Sequence, residues 1–491
     1  MYAGSDLACL EPHRIRSIFE GSQSLPRAAG DFPPAWVSQT VFYQVFLDRF
    51  ANGDPANDPP GTAAWGGTPT RESFFGGDLA GLISRLDYLA ELGVGGIYLN
   101  PIFLAPSNHK YDTQDYLLID PHFGNLRTFG RLLDAAHERG IRILLDGVFN
   151  HTGDRFWAFQ HVLRTGAESP YAGWYFLREF PVRQTPKPNY DCWWGFPSLP
   201  KLNVENPEVL AYLTRVITFW TTLGIDGWRL DVPNEVPAFF WRYFRHLVRK
   251  INPQAYLVGE IWDDGGPWLT GDMFDAVMNY PWRDLVVKFM ATREIDLDAF
   301  LAGLAGQRER YPQAVQLGLF NLLGSHDTAR FLTLAGGDTR RLKLAATFQY
   351  GYPGVPVVYY GDELGLSGCA DPDCRRTMPW EATDRNHDLL AFYRRLGRIR
   401  QDSPALRQGG FDLVHRDAAG GTMAFAREAE GDRVLVVLNA SDHDRTIRLS
   451  PPHQGEEAWE DLLRGGCRHY GAGEEVEVKL PAVTGTILKA R

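Results

Sequence analysis

The sequence has few of the features that mark several classes of protein. Its 491 residues include only five cysteines, an odd number scattered along the chain, so ordinary free thiols are expected rather than a disulfide framework. No stretch approaches 18 uncharged apolar residues, and the N-terminus has an early acid and no basic region followed by an apolar block. We therefore expect no membrane span and a cytoplasmic protein.

Clusters of positive charge are also missing. The formal net charge is -10 and no run of five Lys or Arg residues occurs, so the electrostatic footprint of a nucleic-acid or membrane-surface binder is absent. Aromatic residues are abundant, at 13% of the chain with 14 Trp and 20 Tyr. Flat apolar rings with polar atoms suit a carbohydrate binder, and composition gives a first hint of one.

The central part of the chain has the pattern of repeated βα units. Short β-branched or aromatic runs alternate with segments of helical period, which is typical of helices around a parallel sheet. Eight strands are predicted, at residues 41–46, 96–101, 142–150, 227–232, 256–262, 276–280, 318–323 and 356–360. Eight units predict an α/β fold, a closed (β/α)8 TIM barrel.

Breaks in this pattern predict the domain organisation. Residues 1–36 show no period and are predicted to be an N-terminal extension, followed by the barrel at 37–400. Residues 152–203, after the third strand, are rich in Pro, Trp, Tyr and Phe and predict an inserted subdomain. Residues 401–491 contain short alternating strands with turn signals and predict a C-terminal antiparallel β-sandwich domain.

Charged side chains cluster where the predicted strands end, which is where the chemistry of such a barrel is located. They are Asp146 and His151 in the end of the third strand and directly after it, Arg229 and Asp231 on the fourth, Glu260 on the fifth, and His326 and Asp327 after the seventh. One such acid alone is more often a salt bridge or a cap. Several buried acids together are costly unless they are used, and glycoside hydrolysis uses a carboxylate nucleophile and a protonated acid.

Four segments carry a resemblance to a known family. Asp146-Gly-Val-Phe-Asn-His151, Gly227-Trp-Arg-Leu-Asp231, Gly259-Glu-Ile-Trp262 and Ser325-His-Asp327 look like the four signature regions of the α-amylase family, glycoside hydrolase family 13. They occur in the family's order along the predicted barrel. The resemblance implies a retaining, double-displacement reaction on α-glucosidic bonds.

The resemblance also implies a role for each matching residue. Asp231 matches the nucleophile, Glu260 the general acid/base, and Asp327 the third acid, which holds sugar hydroxyls and stabilises the transition state. Arg229 would keep the nucleophile ionised. His151 and His326 match histidines that hydrogen-bond the sugar, and Asp146 and Asn150 match structural positions of the first region.

Further segments point to the neopullulanase, cyclomaltodextrinase and maltogenic amylase branch. Leu199-Pro-Lys-Leu-Asn203 resembles a Met-Pro-Lys-Leu-Asn segment of that branch, and Tyr111 matches a tyrosine on which the sugar ring stacks, with core filler as the alternative. Glu235 matches a position associated with acceptor binding, and a solvated acid at a helix start is equally open. Asp263 and Asp264 replace the usual His-Asp after Trp262, which leaves subsite preference undecided.

A loop near the first strand predicts a calcium site. Residues 50–60 hold four Asn or Asp side chains within seven positions, and Gly76-Gly-Asp78 follows after a loop. Oxygen ligands of this kind suit Ca²⁺, although Asn-Gly-Asp-Pro is also good turn chemistry. By resemblance to the branch, the predicted structural Ca²⁺ would be bound by Asn52, Asp54, Asn57, Asp58, the carbonyl of Gly76, and Asp78. No organic cofactor is expected.

The expected activity is hydrolysis of α-1,4 bonds, with α-1,6 also open, in cyclodextrins, maltodextrins or pullulan, with transglycosylation as a side activity. A 4-α-glucanotransferase or an α-glucosidase with the same three acids is the alternative, and a non-catalytic amylase-like scaffold is disfavoured because all three acids are present. Only about 36 residues precede the first predicted strand, whereas the branch usually has a large N-terminal β domain that mediates dimerisation. A monomer and a homodimer therefore both remain open.

Overall fold

A computed structural model describes residues 32–381, 386–450, 457–471 and 474–491. The predicted extension at 1–36 lies almost entirely outside these residues. Each of the eight predicted barrel strands is present, although most are shorter than predicted. They are β1 (Phe42–Val45), β2 (Gly96–Leu99), β3 (Arg142–Gly147), β4 (Gly227–Leu230), β5 (Tyr256–Gly259), β6 (Ala276–Val277), β7 (Phe320–Leu322) and β8 (Val355–Tyr359).

The eight strands form one parallel sheet that closes on itself. The hydrogen-bonded order is β6-β5-β4-β3-β2-β1-β8-β7. A parallel bridge between Met278 and Phe320, together with a 2.8 Å hydrogen bond from the Asn279 N–H to the Phe320 carbonyl, joins the two ends. Strands buried on both faces explain the nearly continuous apolar runs in the sequence. The prediction of a (β/α)8 barrel is confirmed.

Amphipathic helices cover the outside of the barrel. In the helix after β2, Asn125 caps the first turn by accepting the Thr128 N–H, and buried Phe129, Leu132, Leu133 and Ala136 recur at spacings of three and four. Helices of nine or more described residues are Leu126–Glu138, Trp157–Thr165, Pro207–Thr222, Ala238–Ile251, Leu297–Arg310, Thr339–Gly351 and His387–Gln401. Within the part of the chain that the structure describes, no helix is long and apolar enough to cross a membrane.

Shorter helices and an irregular segment fill the connections. The shorter α-helices are Ala35–Ser38, Leu79–Ser84, Leu86–Glu91, Tyr280–Val286, Gln313–Gln316, Phe331–Leu334 and Pro404–Gln408, and a two-stranded hairpin pairs Phe103–Leu104 with Asp115–Ile119. Between β3 and β4, residues 171–203 contain two short 3-10 turns and isolated β-bridges, one of which pairs His151 with Lys201. This bridge fixes the irregular segment over the end of β3.

The last part of the chain forms two antiparallel sheets, as the sequence predicts. The strands are β9 (Asp412–Asp417), β10 (Thr422–Ala429), β11 (Asp432–Asn439), β12 (Arg445–Leu449), β13 (Glu457–Asp461), β14 (Cys467–Tyr470), β15 (Val476–Leu480) and β16 (Thr484–Ala490). The sheets have the orders β9-β10-β11-β16-β13-β14 and β12-β15. Alternate residues face opposite sides: Leu435 and Val437 join a core with the small sheet, whereas Val436 joins the core of the barrel.

Arg400, in the last long helix, connects separate parts of the fold. Its side chain is fully buried, and its guanidinium donates to the carbonyls of Ser38, Tyr350, Gly354 and Leu406 at 2.7–3.2 Å. These carbonyls belong to the entry to β1, the helix before β8, the start of β8 and the helix before the C-terminal sheets. Removal of the side chain would take this donor from all four carbonyls, three of which lie in buried surroundings.

We therefore expect Arg400→Ala to lower the free energy of unfolding by about 3–5 kcal/mol, because it removes several buried hydrogen bonds at once. Urea denaturation followed by tryptophan fluorescence measures this. Arg398→Ala is the matched control, since Arg398 lies on the same helix and is exposed; a change within about 0.5 kcal/mol is expected there. Equal losses in the two variants would contradict the structural role of Arg400.

Candidate active site

Arg229 lies at the centre of the acids at the barrel mouth. Its side chain is fully buried, and Nη1 is 2.9 Å from both carboxylate oxygens of Asp146 and 3.0 Å from Oδ1 of Asp231. Nη2 is 2.8 Å from Oε1 of Glu260. Asp146, Arg229 and Asp231 meet because Asp146 is the register partner of Arg229, and Asp231 is two residues further along, on the same face of the strand.

The backbone after Asp231 is strained in a way that positions Glu260. Val232 has φ 42° and ψ 47°, the left-handed region that a β-branched residue rarely adopts. In this conformation the Val232 N–H donates to Oε2 of Glu260 at 3.2 Å. Strain of this kind costs on the order of 1–3 kcal/mol and persists where the surrounding structure enforces it. Glu260 is thus held from both sides, by Arg229 and by this amide.

His326 and Asp327 follow β7 and reach the same mouth. Nε2 of His326 lies 3.2 Å from Oδ2 of Asp327, and Arg375 lies 3.3 Å from Oδ1. Arg375 also donates to the His326 carbonyl at 2.8 Å. The side chain of Asp327 remains 29% exposed, so it is the most accessible of the three predicted catalytic acids. Arg375 was not among the predicted site residues, because it lies nearly fifty residues from Asp327 in the sequence, in a loop without a strand signal.

The remaining predicted sugar-binding residues line the same opening. Tyr111 is half-buried, its ring is parallel to that of His326 with centroids 5.5 Å apart, and its hydroxyl donates to Asp146 at 2.9 Å. The imidazole of His151 is buried, and its Nε2 has no hydrogen-bond partner. Because Tyr111 is partly exposed and its hydroxyl is hydrogen-bonded to polar side chains, it does not resemble a residue that only fills the hydrophobic core.

Glu235 lies in a short 3-10 turn after β4 and contacts Lys201. Lys201 Nζ is 3.3 Å from the carboxylate and 3.0 Å from the backbone carbonyl of Glu235. Because Lys201 is also the bridge partner of His151, this ion pair joins the inserted segment to the mouth. Asp226, the other acid of the fourth strand region, instead binds Arg142 and the Ile143 N–H at the opposite end of the barrel.

Burial dominates the electrostatics of this cluster. It raises the pKa of Asp231 well above its ordinary value; the charge of Glu260 adds to the rise, and Arg229 opposes it. Burial and the charge of Glu260 raise the pKa of Asp327 to about 7. Burial lowers the pKa of His151 to about 3 and that of His326 well below its usual range, so both imidazoles are neutral near pH 7. The mouth therefore combines two neutral imidazoles with buried acids that the guanidinium of Arg229 contacts.

Exposed aromatic rings flank the acids on two sides. In the inserted segment, the ring of Trp193 lies 5.9 Å from His151 and stacks on Trp194, which is 79% exposed. On the other side, Trp262 is half exposed and stacks on Tyr280 at 3.8 Å. These rings were not among the predicted site residues. The adjacent Trp193 and Trp194 in an irregular segment are a sequence feature that could have indicated the first two of these rings.

The six predicted calcium-binding residues lie together in the segment of the chain that follows β1. Asn57 Nδ2 donates to Asp78 at 2.9 Å, and Asp78 also accepts the Asp54 N–H at 2.9 Å. A second group joins Asn52 to Asp58, with Nδ2 and Oδ1 2.8 Å apart. Gly76 approaches this group so closely that a Cβ atom would lie 2.3 Å from Oδ1 of Asp58.

The donor chemistry of this loop fits a hard cation. Oδ1 of Asn57 is buried and has no hydrogen-bond partner among the described residues, and amide oxygens of this kind are calcium ligands. Asp78 also caps the following helix by accepting the Gly81 N–H at 2.6 Å. Among the described residues no group of three His, Cys, Asp or Glu side chains is arranged around a metal position. A site here would therefore depend on amide and backbone oxygens as well as carboxylates.

Comparison with known proteins agrees with this geometry. The family model of the α-amylase catalytic domain matches residues 44–408. The chain is 50% identical to neopullulanase 2 of Thermoactinomyces vulgaris over 450 residues, covering 91% of this chain and 76% of that protein. It is 42% identical to the intracellular maltogenic amylase of Bacillus subtilis strain 168 over 419 residues, covering 85% and 71%.

A solved structure gives a similar result. The cyclic α-maltosyl-(1→6)-maltose hydrolase from Arthrobacter globiformis superposes with a TM-score of 0.82 at 40% identity. The match covers 91% of this chain and 99% of that one. Identity at this level over most of both chains extends the similarity beyond the barrel fold alone.

The raised pKa of Asp327 predicts a pH-dependent contribution to stability. In the unfolded chain an Asp carboxyl has a pKa near 3.9, so the folded protein holds this proton more tightly. The stabilisation is fully present below about pH 4 and is lost as the pH rises through about 7. We compare the free energy of unfolding of Asp327→Asn with that of the wild type. From pH 5 to pH 8 the difference should change in favour of the variant by about 1–2 kcal/mol, allowing for the partial exposure of the carboxylate.

Urea midpoints at the two pH values measure this difference. The control is Asp412→Asn, which removes an exposed carboxylate in the C-terminal sheets and should shift stability equally at both pH values. A pH-independent offset for Asp327→Asn would contradict the prediction.

Proposed function

The chain belongs to the α-amylase family of glycoside hydrolases, and from this premise we propose that its barrel mouth cleaves the α-glucosidic bonds of maltodextrins, cyclodextrins and pullulan with retention of configuration. The observation that carries the proposal is the contact of a single guanidinium, Arg229, with both Asp231 and Glu260. Two carboxylates within the span of one guanidinium favour the close spacing, about 5 Å, of retaining enzymes.

In the first step, we propose that Asp231 attacks the anomeric carbon while Glu260 gives its proton to the leaving glycosidic oxygen. The bond to that oxygen breaks and a covalent glycosyl ester forms on Asp231. Arg229 stabilises the carboxylate form of the nucleophile against the effect of burial. Asp327 and the neutral imidazole of His326 are placed to hold hydroxyl groups of the same sugar.

In the second step, Glu260 acts as a base and removes a proton from a water molecule, which attacks the anomeric carbon and releases Asp231. A sugar hydroxyl in place of water gives transglycosylation. The ion pair between Glu235 and Lys201 lies beside this position and supports a role of Glu235 in placing the acceptor. The exposed rings of Trp194 and Trp262 are suited to stacking on glucose units on either side of the acids.

The named activities of the relatives support this range of substrates. One similar protein is a neopullulanase and another hydrolyses a cyclic glucan with α-1,6 links, so both bond types and ring substrates belong to the proposal. The similarity to an intracellular maltogenic amylase supports a cytoplasmic location.

We expect the purified chain to convert β-cyclodextrin, maltotriose and pullulan to shorter saccharides whose first-formed reducing ends are α-anomers, as seen by proton NMR and chromatography. Retention follows from two successive inversions at the anomeric carbon. Release of glucose only from non-reducing ends would indicate an α-glucosidase, and redistribution of chain lengths without new reducing ends would indicate a glucanotransferase. β-Anomers as first products would contradict double displacement.

Two variants test the roles of Glu260 and Asp231 separately. Glu260→Gln should lower kcat/KM on maltotriose by about 10²–10⁴-fold because the amide cannot donate the proton. It should retain a burst of fluoride release from α-glucosyl fluoride, since that leaving group departs without protonation. Asp231→Asn should be inactive on both substrates. Full activity of Glu260→Gln on maltotriose would overturn the assignment.

We also propose a structural Ca²⁺ bound by Asn52, Asp54, Asn57, Asp58, the Gly76 carbonyl and Asp78. The support is the buried, unpartnered Oδ1 of Asn57 among these carboxylates. A bound cation would neutralise the acids of the loop and hold it against the helix that Asp78 caps. The proposed role of this ion is structural, and no step of the reaction above involves it.

At about 100 times its dissociation constant, Ca²⁺ should stabilise the fold by about 2.7 kcal/mol. Thermal unfolding in EGTA and after re-addition of Ca²⁺ measures the effect. Asn57→Ala should remove the Ca²⁺-dependent shift, whereas Asp412→Ala, which removes an exposed acid elsewhere, should retain it. A melting temperature that does not respond to Ca²⁺ in the wild type would rule out the site.

A further inference from the structure

A buried glutamine at the end of β1 contacts the active-site histidine. The side chain of Gln44 is 1% exposed, and its Nε2 lies 2.9 Å from Nδ1 of His326 and 3.1 Å from Oδ1 of Asn100. None of the catalytic or sugar-binding roles above involves Gln44. The direction of its hydrogen bond depends on which ring nitrogen of His326 carries the proton, and the surrounding contacts decide that question.

The first constraint is the carboxylate of Asp146, which is surrounded by donors. Arg229 Nη1 lies 2.9 Å from each oxygen, and the Tyr98 hydroxyl lies 2.6 Å from Oδ2. Burial raises the pKa of Asp146, whereas the charge of Arg229 and the hydrogen bonds from Tyr98 and Arg229 oppose that rise, so these contacts favour the ionised carboxylate as an acceptor. The Tyr111 hydroxyl, 2.9 Å from Oδ2, therefore gives its single proton to Asp146.

The second constraint follows from this commitment of the Tyr111 proton. Three further groups approach the same hydroxyl: Nη1 of Arg229 at 3.5 Å, which can only donate, Nε2 of His326 at 2.7 Å and Nδ2 of Asn100 at 3.0 Å. Because the hydroxyl has no second proton, His326 and Asn100 must also donate to it. Nε2 of His326 thus carries a hydrogen, and Asn100 points its amide nitrogen at Tyr111 and its Oδ1 at Gln44.

The third constraint is the neutral charge of His326. Burial and the nearby Arg375 and Arg229 lower its pKa well below the usual range, so only one ring nitrogen is protonated. With the proton on Nε2, Nδ1 has a free lone pair and Gln44 must donate to it. The Gln44 amide orientation agrees independently, since Nε2 also faces the acceptor Oδ1 of Asn100.

The opposite tautomer would place lone pairs against each other. A bare Nε2 would face the Tyr111 oxygen and, at 3.2 Å, the carboxylate of Asp327. Nδ1–H would point at the amide N–H of Gln44. The Oε1 atom of Gln44 is buried and has no hydrogen-bond partner among the described residues. If the amide group were turned over, its nitrogen would take the place of Oε1 and would also lack a partner. The surroundings of Oε1 therefore do not favour either orientation of the amide.

We propose that Gln44 is a positioning residue that fixes His326 as its Nε2–H tautomer, so that at the barrel mouth the imidazole donates to the Tyr111 hydroxyl and, at the longer distance of 3.2 Å, faces Asp327 with a donor rather than a lone pair. The effect on catalysis rests on the proposed function, whereas the tautomer does not. Gln44 acts through His326 and contacts neither Asp231 nor Glu260 in the contacts described above.

The tautomer is measured directly by long-range ¹H–¹⁵N NMR of enzyme labelled with ¹⁵N-histidine, with the His326 signals identified by their loss in His326→Gln. We expect a protonated Nε2 and an unprotonated Nδ1 in the wild type. In Gln44→Glu, the carboxylate accepts from Nδ1, so both nitrogens should be protonated near pH 7. The pH profile of kcat/KM should then gain a new ionisation, which a purely structural role for Gln44 would not produce.

Gln44→Met keeps the side-chain length and removes the donor. We expect kcat/KM on maltotriose to fall about 10–100-fold, by analogy with the loss found when a hydrogen-bond partner that orients a metal-bound histidine is removed. The matched control is Gln349→Met, because Gln349 is equally buried and donates to two backbone carbonyls, those of Asn321 and Val357. That variant should lose stability and retain both the His326 tautomer and kcat/KM.

An Nδ1–H tautomer in the wild type would overturn the proposal, as would Gln44→Met with wild-type kcat/KM and an unchanged tautomer. A wild-type chain inactive on α-glucans would instead refute the proposed function. The tautomer assignment would still be decided by NMR in that case.

Discussion

The buried charge of Arg229 is the constraint on which the barrel mouth depends. Asp146, Asp231 and Glu260 are all within 3.0 Å of its guanidinium, in a site from which water is largely excluded. Carboxylates this close raise one another's pKa and would each cost several kcal/mol if unpaired. A planar fork can serve three carboxylates at once, which the single ammonium of lysine cannot do with the same directionality.

The barrel and its loops contribute differently to the site. The charged groups near Arg229 are set by the register of adjacent strands, and the strained backbone at Val232 directs an amide at Glu260. The rings of Trp194 and Trp262 lie on connections outside the strands, where substitutions and insertions do not disturb the sheet. The rigid part thus fixes the chemistry, and the loops present surfaces that determine which glucan fits.

Local patterns in the sequence were sufficient for the strands and for the acids. All eight barrel strands were predicted because strands buried on both faces are short apolar runs bounded by turns. The acids were identifiable because each follows such a run, at the end where a parallel barrel places its site. Arg375 and Gln44 were not identified, since one lies in a loop without a periodic signal and the other looks like an ordinary polar residue at a strand end.

The barrel, the family and the set of acids could therefore be predicted from the sequence, because they depend on residues close together in the chain. The proposed tautomer of His326 depends on the folded chain, since Gln44 and Tyr111 contact its ring and Asn100 contacts both of these residues. Gln44 and His326 are 282 residues apart in the chain. Closure of the barrel brings them to 2.9 Å, and a hydrogen bond exists only where such a closure places donor and acceptor in contact.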